Sequence, residues 1–455
     1  MIDARDSTAC ERLAARVRGV AQSPEPEPKL AEIVARRVFD TLGAVAVGAA
    51  VAGPWWELDG GALSDRGLLA TVRGLCACAR ASEVDDIERR SCTTPGSVAV
   101  PVALAVAGER DVTGPALLAA VAAGYEAMVA IGEAIDGPLI LYRGIWPSYL
   151  AAPVAAAATA ARLLELEHGR FVDALSIAAA RAVGIVGRPP REPTSRWFLY
   201  GCAAADGVAA ALAAERGVAG DQKVLEAILG AQTQDEFREI PAEVDLPAVA
   251  RVDAKPFCTA RQAQSAIEAA RAAWAEADGA PLEMISSIEV GVPQAYRGMV
   301  DQPHPRDRVT SIMSAQFQIA AALEDPAQLY DVTRAEPRLS PRGTALMDSV
   351  RVVADPELSP LFPGVWPGRA TLRLRDGREL TRRVLSPDGA AGPAPGWDWL
   401  EHKHAALGGF GEELAGIAEA CRGLGADPPV AARSLLDRTL DPQTLQQQAA
   451  HNGGV

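Results

Sequence analysis

Histidine, cysteine and aromatic residues are all scarce in this sequence. Its 455 residues include five histidines and seven cysteines, and Phe, Trp and Tyr together make up 5%. The one close cysteine pair, Cys76 and Cys78, has C-x-C spacing, whereas zinc and redox sites typically use C-x-x-C. An odd and sparse set of cysteines is typical of reduced thiols, so we expect a cytoplasmic protein.

The histidines do not form a pattern typical of catalysis. They lie in charged, proline-rich or terminal stretches, at His168, His304, His402, His404 and His451. Each is therefore predicted to lie at the surface, and a triad centred on histidine is not expected.

Motifs for nucleotides, zinc, nucleic acid and membranes are also missing. There is no Gly-rich phosphate loop and no H-E-x-x-H. The net charge of −14, with no long basic block, disfavours nucleic acid and anionic lipid as partners. The N-terminal residues carry scattered charges and predict no signal peptide. The long uncharged stretch 144–161 contains Pro147 and Pro153, and it predicts a buried helix and not a membrane span.

The hydrophobic pattern predicts a mainly α protein with an α+β segment. From residue 8 to 245, Ala- and Leu-rich segments carry apolar residues at helical spacing between Gly and Pro. Past Ala250, the segments 286–292, 349–353 and 370–374 alternate like strands. With hydrophobic residues at 49% and a length beyond one ordinary core, two domains are expected.

Two segments of the helical half could carry chemistry. Asp85 and Asp86 lie on a loop before a Thr-Thr-Pro-Gly turn and an apolar helix, whose free N–H groups would favour an anion. Alternatively, Thr94 or Ser97 only caps the helix and the two aspartates are solvated. Further on, residues 141–153 bring Tyr142, Trp146 and Tyr149 together, either as core or as a pocket wall.

Two later segments concentrate positive charge. Arg188, Arg191 and Arg196 crowd a proline-rich loop, where arginine forks could bind carboxylates or could simply be solvated. Lys255, Cys258 and Arg261 surround a predicted helix start, which an ordinary helix N-terminus would also explain.

Taken in order, these segments resemble the signature stretches of the MmgE/PrpD family, which includes 2-methylcitrate dehydratase, cis-aconitate decarboxylase and iminodisuccinate epimerase. TTPGSVAVPVALAVA resembles the family's HPGS turn, RGIWPS its GFHPT motif and TSRWFLYGCAAADG its TKRLHAG helix. KPFCTARQAQSAIEAA resembles its KPYPxCRxxHxxID stretch. The resemblance extends over nearly the whole chain.

The resemblance implies a large all-helical domain with an inserted α+β lid domain. In this sequence the helical domain would be residues 1–250 together with the C-terminal helices of 394–455, and the lid would be 251–393. It also implies a homodimer and a site between the domains that needs no metal or organic cofactor. The family's chemistry removes a proton next to a carboxylate and then expels water, returns the proton to the other face, or, in its decarboxylases, loses carbon dioxide.

The family's charged residues are partly kept, and its histidines are replaced. Asp85 and Asp86 stand at the paired Asp of the family, Lys255 at its lid lysine and Arg261 at its arginine. Other residues now stand where the family has His, Lys, Arg, Cys or Tyr: Thr94, Trp146, Arg196, Trp197, Leu199, Cys258, Ala260, Gln264 and Phe317. Two tryptophans in place of polar groups would make the pocket drier, which suits a bulkier and less charged ligand than a tricarboxylate.

We therefore predict a lyase or isomerase of secondary metabolism, acting on a carboxylate- or carbonyl-bearing intermediate by elimination, decarboxylation, isomerisation or cyclisation. Asp85 or Asp86 would be the base, with its pKa raised by burial, and Tyr142 or Cys258 would be the reserve. Arg196, Lys255 and Arg143 would hold the anion. The alternatives are a standard dehydratase or decarboxylase of the family and a ligand-binding homologue without activity. The remaining residues predicted to contact substrate are Thr94, Trp146, Trp197, Arg261 and Phe317.

Overall fold

A computed structural model describes residues 7–20, 28–52, 66–185, 195–234, 236–333, 338–390, 395–426 and 431–440. The chain forms two compact units, one built from Met1–Ala254 with Gly392–His451 and the other from the continuous segment Lys255–Ala391. Helices account for 63% of the structure, and the strands form one sheet of four. The predicted mainly α fold with an α+β portion is confirmed.

The described part of the first unit consists of helices joined by loops, with two isolated β-bridges. Its helices before residue 254 are α1 (Ala9–Val20), α2 (Pro28–Ala52), α3 (Leu68–Ala81), α4 (Gly96–Ala107), α5 (Gly114–Ala134), α6 (Gly137–Ile140), α7 (Pro147–Leu163), α8 (His168–Ala179), α9 (Ser195–Glu215) and α10 (Val224–Thr233). The predicted buried helix in 144–161 is α7, which begins with Pro147 at the position where a missing N–H costs nothing.

Helix α3 packs between α2 and α9, and small residues allow the close approach. A Cβ added at Gly48 of α2 would lie 1.8 Å from the carbonyl oxygen of Cys78 in α3. A Cβ at Gly201 of α9 would lie 2.1 Å from the carbonyl oxygen of Arg73, also in α3. The backbones of the three helices therefore touch, and this fixes the end of α3 from which the Asp-rich loop leaves.

By length and composition alone, α5 and α9 could cross a membrane. In the structure, 89% of the apolar window of α5 and 56% of that of α9 is buried inside the protein. Buried core helices meet the same criterion, so the two helices are weak evidence for a membrane span.

The second unit contains α11 (Arg261–Trp274), β1 (Ile285–Val292), α12 (Gln294–Val300), α13 (Arg308–Met313), α14 (Ala315–Glu324), α15 (Pro341–Asp348), β2 (Val350–Ala354), β3 (Gly368–Leu374) and β4 (Glu379–Val384). The sheet order is β2-β1-β3-β4, with β1 and β2 parallel and the other pairs antiparallel. The three predicted strand segments fall on β1, β2 and β3. Helix α11 packs on β3 and β4.

After the second unit the chain returns to the first with α16 (Trp397–Leu407), α17 (Leu414–Arg422) and α18 (Ala432–Thr439). These helices pack against α2, where Phe39 stacks on Phe410 with ring centroids 5.3 Å apart. The first unit is therefore built from two segments of the sequence, and the second unit lies between them in the chain.

The contact between α2 and α3 gives a stability prediction. Gly48→Ala should lower the free energy of unfolding by about 1–3 kcal/mol, because the methyl group would overlap a backbone carbonyl. Urea unfolding followed by circular dichroism measures this. Gly19→Ala is the matched control: Gly19 lies in α1 with no atom within 4 Å of an added Cβ, so its stability should stay the same or rise by up to about 1 kcal/mol. Equal unfolding midpoints for the two variants would contradict the proposed contact.

Candidate active site

The loop of residues 82–95 joins α3 to α4 and is held by backbone contacts. Ile87 forms an antiparallel bridge with Asp253, and the backbone groups of Glu88 and Thr93 bond each other. Asp85 and Asp86 are each 2% exposed. The alternative that these aspartates are solvated is therefore wrong.

Asp86 binds the N-terminus of α4. Its Oδ1 accepts a hydrogen bond from the backbone N–H of Gly96 (2.9 Å), and its Oδ2 accepts one from the Tyr125 hydroxyl (2.6 Å). Burial raises the pKa of Asp86 to about 6, although Arg37 and these two hydrogen bonds act to lower it. The predicted anion site at this helix end is thus taken by a carboxylate of the chain itself, and the residue that precedes α4, Pro95, makes no side-chain capping bond.

Asp85 belongs to a buried network of two arginines and two carboxylates. Arg80, in the last turn of α3, contacts Glu83 (3.0 Å) and Asp85 (3.3 Å). Glu83 also contacts Arg196, the second residue of α9, at 2.8 Å. Glu83 therefore joins α3 to α9, and the charge of Arg196, which was predicted to hold a substrate anion, is already paired within the protein.

Aromatic rings surround this network. The guanidinium of Arg196 lies 4.9 Å from the ring centroid of Trp197 and 5.5 Å from that of Trp146. The ring of Tyr149 meets those of Trp146 and Tyr200 edge-on, at 6.2 Å and 4.9 Å. Trp146 of the 141–153 segment thus lies next to the charge of Arg196, and Tyr149 packs on Trp146. The structure places Trp146, Trp197 and Arg196 together, and their part in a substrate site remains a prediction.

A group of hydroxyls lies on the other side of Tyr200. Its OH contacts Ser97 Oγ (2.9 Å) and Thr94 Oγ1 (3.2 Å), and the Thr94 N–H donates to Ser148 Oγ (3.1 Å). Thr94, predicted to contact substrate, therefore lies in this group. Tyr200 was not predicted for the site, because an aromatic residue in an Ala-rich helix has the pattern of an ordinary core residue.

Lys403 and His404 of α16 form a second buried charged group with Asp40 of α2, which the sequence did not indicate. Lys403 donates to Asp40 of α2 (2.6 Å) and to the carbonyl of Val84 (3.0 Å), and His404 contacts Asp40 at 3.0 Å. Although burial opposes ionisation, Lys403 and His404 hold the pKa of Asp40 well below its usual range, whereas burial lowers the pKa of His404. His404 is fully buried, so its predicted surface position is wrong.

Two other predicted residues of the first unit lie in the 3-10 turn of Leu141–Arg143. Tyr142 is half-buried and Arg143 is exposed. The roles proposed for both residues remain predictions. Arg188 and Arg191 lie outside the described residues.

The remaining predicted residues lie in the second unit and are all buried. Lys255 is 3% exposed, Cys258 lies 3.8 Å from a guanidinium nitrogen of Arg308, and Phe317 is in α14. Arg261 begins α11 with its guanidinium 6.0 Å from the ring centroid of Trp366. Their predicted part in substrate binding remains a prediction. In the described part of the chain, no three His, Cys, Asp or Glu residues are grouped to hold a metal ion.

Two models of one protein family match the chain. The model of the MmgE/PrpD N-terminal domain matches residues 74–234, and that of the MmgE/PrpD C-terminal domain matches residues 257–418. The two matches together span more than half of the chain. The chain therefore belongs to the MmgE/PrpD family. This is a family of dehydratase- and lyase-like proteins. The predicted resemblance is confirmed. A comparison with individual curated proteins finds no significant match.

The raised pKa of Asp86 predicts a specific pH dependence of stability. The folded chain holds this proton up to about pH 6, whereas the unfolded chain releases it near the ordinary value of 3.8. The stabilisation from the protonated group is therefore complete below the unfolded pKa and is lost as pH rises through 6. The wild type should therefore lose stability relative to Asp86→Asn as pH rises. Its unfolding free energy minus that of Asp86→Asn should fall by about 2–3 kcal/mol from about pH 4 to about pH 7.

Urea unfolding at several pH values measures this difference. Asp111→Asn, at an exposed carboxylate beyond α4, is the matched control and should follow the wild-type curve. A difference between wild type and Asp86→Asn that stays constant over this range would contradict the assignment.

Proposed function

We propose that this protein is a lyase or isomerase that moves a proton next to a carbonyl or carboxylate group of a substrate with an apolar body. The single observation that carries the proposal is the buried network of Arg80, Glu83, Asp85 and Arg196 beside the rings of Trp146 and Trp197. Family membership supports the reaction class. The working form would be a cytoplasmic homodimer in secondary metabolism.

The charge of the network favours a substrate of low charge. Its two arginines are balanced by its two carboxylates, so the four residues have a formal net charge of zero. Adding a tricarboxylate to a buried neutral group would require several desolvated negative charges to find new partners, which is costly. A carbonyl or a single carboxylate on an apolar body fits a neutral network with aromatic walls better.

Asp85 is the better candidate for the base. Asp86 uses both carboxylate oxygens for hydrogen bonds to Gly96 and Tyr125, which hold the start of α4. Asp85 contacts Arg80 through Oδ1 and lies within the network that the aromatic rings surround. A carboxylate is also the base type that remains where Thr94 and Trp146 stand at the family's histidine positions. General-base catalysis by such a group typically contributes about 10²–10⁴-fold in rate.

Proton exchange into deuterated water tests the proposal without knowledge of the product. The purified protein is incubated with alkyl- and aryl-substituted 2-oxo acids, unsaturated acids and their methyl esters, and also with 2-methylcitrate and cis-aconitate. Proton NMR then follows loss of the hydrogen next to the carbonyl, corrected for exchange in buffer alone. We expect the fastest exchange with an apolar monoacid or ester, and at least about a 100-fold loss in Asp85→Asn.

Glu215→Gln is the matched control, because Glu215 pairs with the half-exposed Arg110 on the surface of the first unit. Its exchange rate should equal that of the wild type. Faster turnover of 2-methylcitrate or cis-aconitate than of the apolar compounds would instead support a standard dehydratase or decarboxylase. Absence of exchange with every compound, in protein that is folded by circular dichroism, would contradict an enzymatic role.

A further inference from the structure

Tyr149 has a buried hydroxyl group that forms no hydrogen bond with any residue that the structure describes. The residue is 2% exposed. Leaving a buried hydroxyl unpaired costs about 1–3 kcal/mol, and native proteins rarely tolerate it without a reason. The indole Nε1 of the neighbouring Trp146 is also buried and has no partner in the same part of the chain.

The position of Tyr149 is fixed by rigid structure. It is the third residue of α7, and its backbone N–H donates to the carbonyl of Trp146, which precedes the helix. Its ring packs edge-on against Tyr200, whose own OH is held by Ser97 and Thr94. A side chain placed by a helix start and a packed ring is suited to catalysis, because its donor does not need to reorganise during the reaction.

The surroundings of this hydroxyl are those of the charged network. Burial raises the pKa of Tyr149 to about 12, while Arg196 and Arg80 act to lower it and Glu83 and Asp85 act to raise it. The ring of Tyr149 packs on that of Trp146, and the guanidinium of Arg196 lies 5.5 Å from the centroid of the same Trp146 ring. The phenol stays protonated at neutral pH and is available as a hydrogen-bond donor.

We propose that Tyr149 is a catalytic residue of this site and that its O–H donates to the substrate's carbonyl oxygen, with the Trp146 indole N–H as a second donor. This inference rests on the proposed function. Asp85 takes the proton from the carbon next to the carbonyl, and the C–H electron pair forms a C=C bond. The π electrons of the C=O bond move to the oxygen, where the Tyr149 hydrogen bond stabilises the negative charge.

The resulting enolate can react in two ways. Return of a proton from Asp85 to the same carbon gives exchange once that proton has exchanged with solvent, and its return to the far carbon of a conjugated C=C bond moves the double bond and completes an isomerisation. The enolate can instead use its electron pair to expel a leaving group from the next carbon; the group departs with the electron pair of its bond and takes the proton from Asp85, which completes an elimination. In both outcomes the phenol keeps its proton, so Tyr149 is not consumed.

Tyr149→Phe separates a catalytic hydroxyl from a structural one. The variant keeps the ring against Tyr200 and removes only an oxygen that makes no hydrogen bond within the described chain. We therefore expect an unchanged or higher urea midpoint, together with a loss of proton exchange of about 10²–10³-fold, as is typical for removal of one oxyanion donor. Tyr200→Phe is the matched comparison for stability: its hydroxyl contacts Ser97 and Thr94, so its removal should lower the urea midpoint.

The outcomes distinguish this inference from the function on which it rests. Exchange that is lost in Asp85→Asn but is the same in Tyr149→Phe as in the wild type would overturn the role of Tyr149 and leave the proposed function standing. Exchange that falls in Tyr149→Phe only together with the urea midpoint would also overturn it, because a packing defect would then explain the loss. Absence of exchange in the wild type would overturn both.

Discussion

The ion pairs that Glu83 makes with Arg80 and Arg196 are the interaction on which the candidate site depends. All three side chains are at least nine-tenths buried, and a buried charge that loses its partner typically costs about 3–5 kcal/mol. Because Arg80 ends α3 and Arg196 begins α9, the pairing fixes both helix ends and the loop between α3 and α4. The close glycine contacts of α3 with α2 and α9 hold the same geometry by packing.

The C-terminal part of the chain completes the same arrangement. Lys403 of α16 binds the carbonyl of Val84, in the loop that carries the aspartates, and pairs with Asp40 of α2. Without α16, Asp40 would be a buried carboxylate without its cation. The return of the chain to its helical unit after the α+β segment therefore brings a cation both to the aspartate loop and to α2.

The sequence predicted the segments of the site better than its interactions. The Asp-rich loop, the Trp146 segment and Arg196 were found because Gly, Pro and charge interrupt the Ala-rich helices there. Arg80 and Tyr200 were missed because they lie inside regular helices, where their spacing is that of ordinary amphipathic and core positions. The partners are also far apart in sequence, so pairing cannot be read from local patterns. Strand β4 was missed for another reason: its residues are mostly exposed, and it lacks the alternation that burial of one face produces.

With Thr94 and Trp146 at the positions where the resemblance puts histidines, the proposed site would work with a carboxylate and a phenol in place of imidazole chemistry. An imidazole titrates near neutral pH and can both take and give a proton within one cycle. Here burial raises the pKa of Tyr149 to about 12, so the phenol stays protonated at neutral pH. In the proposed reaction the carboxylate of Asp85 takes the proton from carbon, and the phenol only donates a hydrogen bond. Such a site has one base and one fixed donor, which suits proton transfer at a single face of the substrate followed by return of that proton or loss of a leaving group.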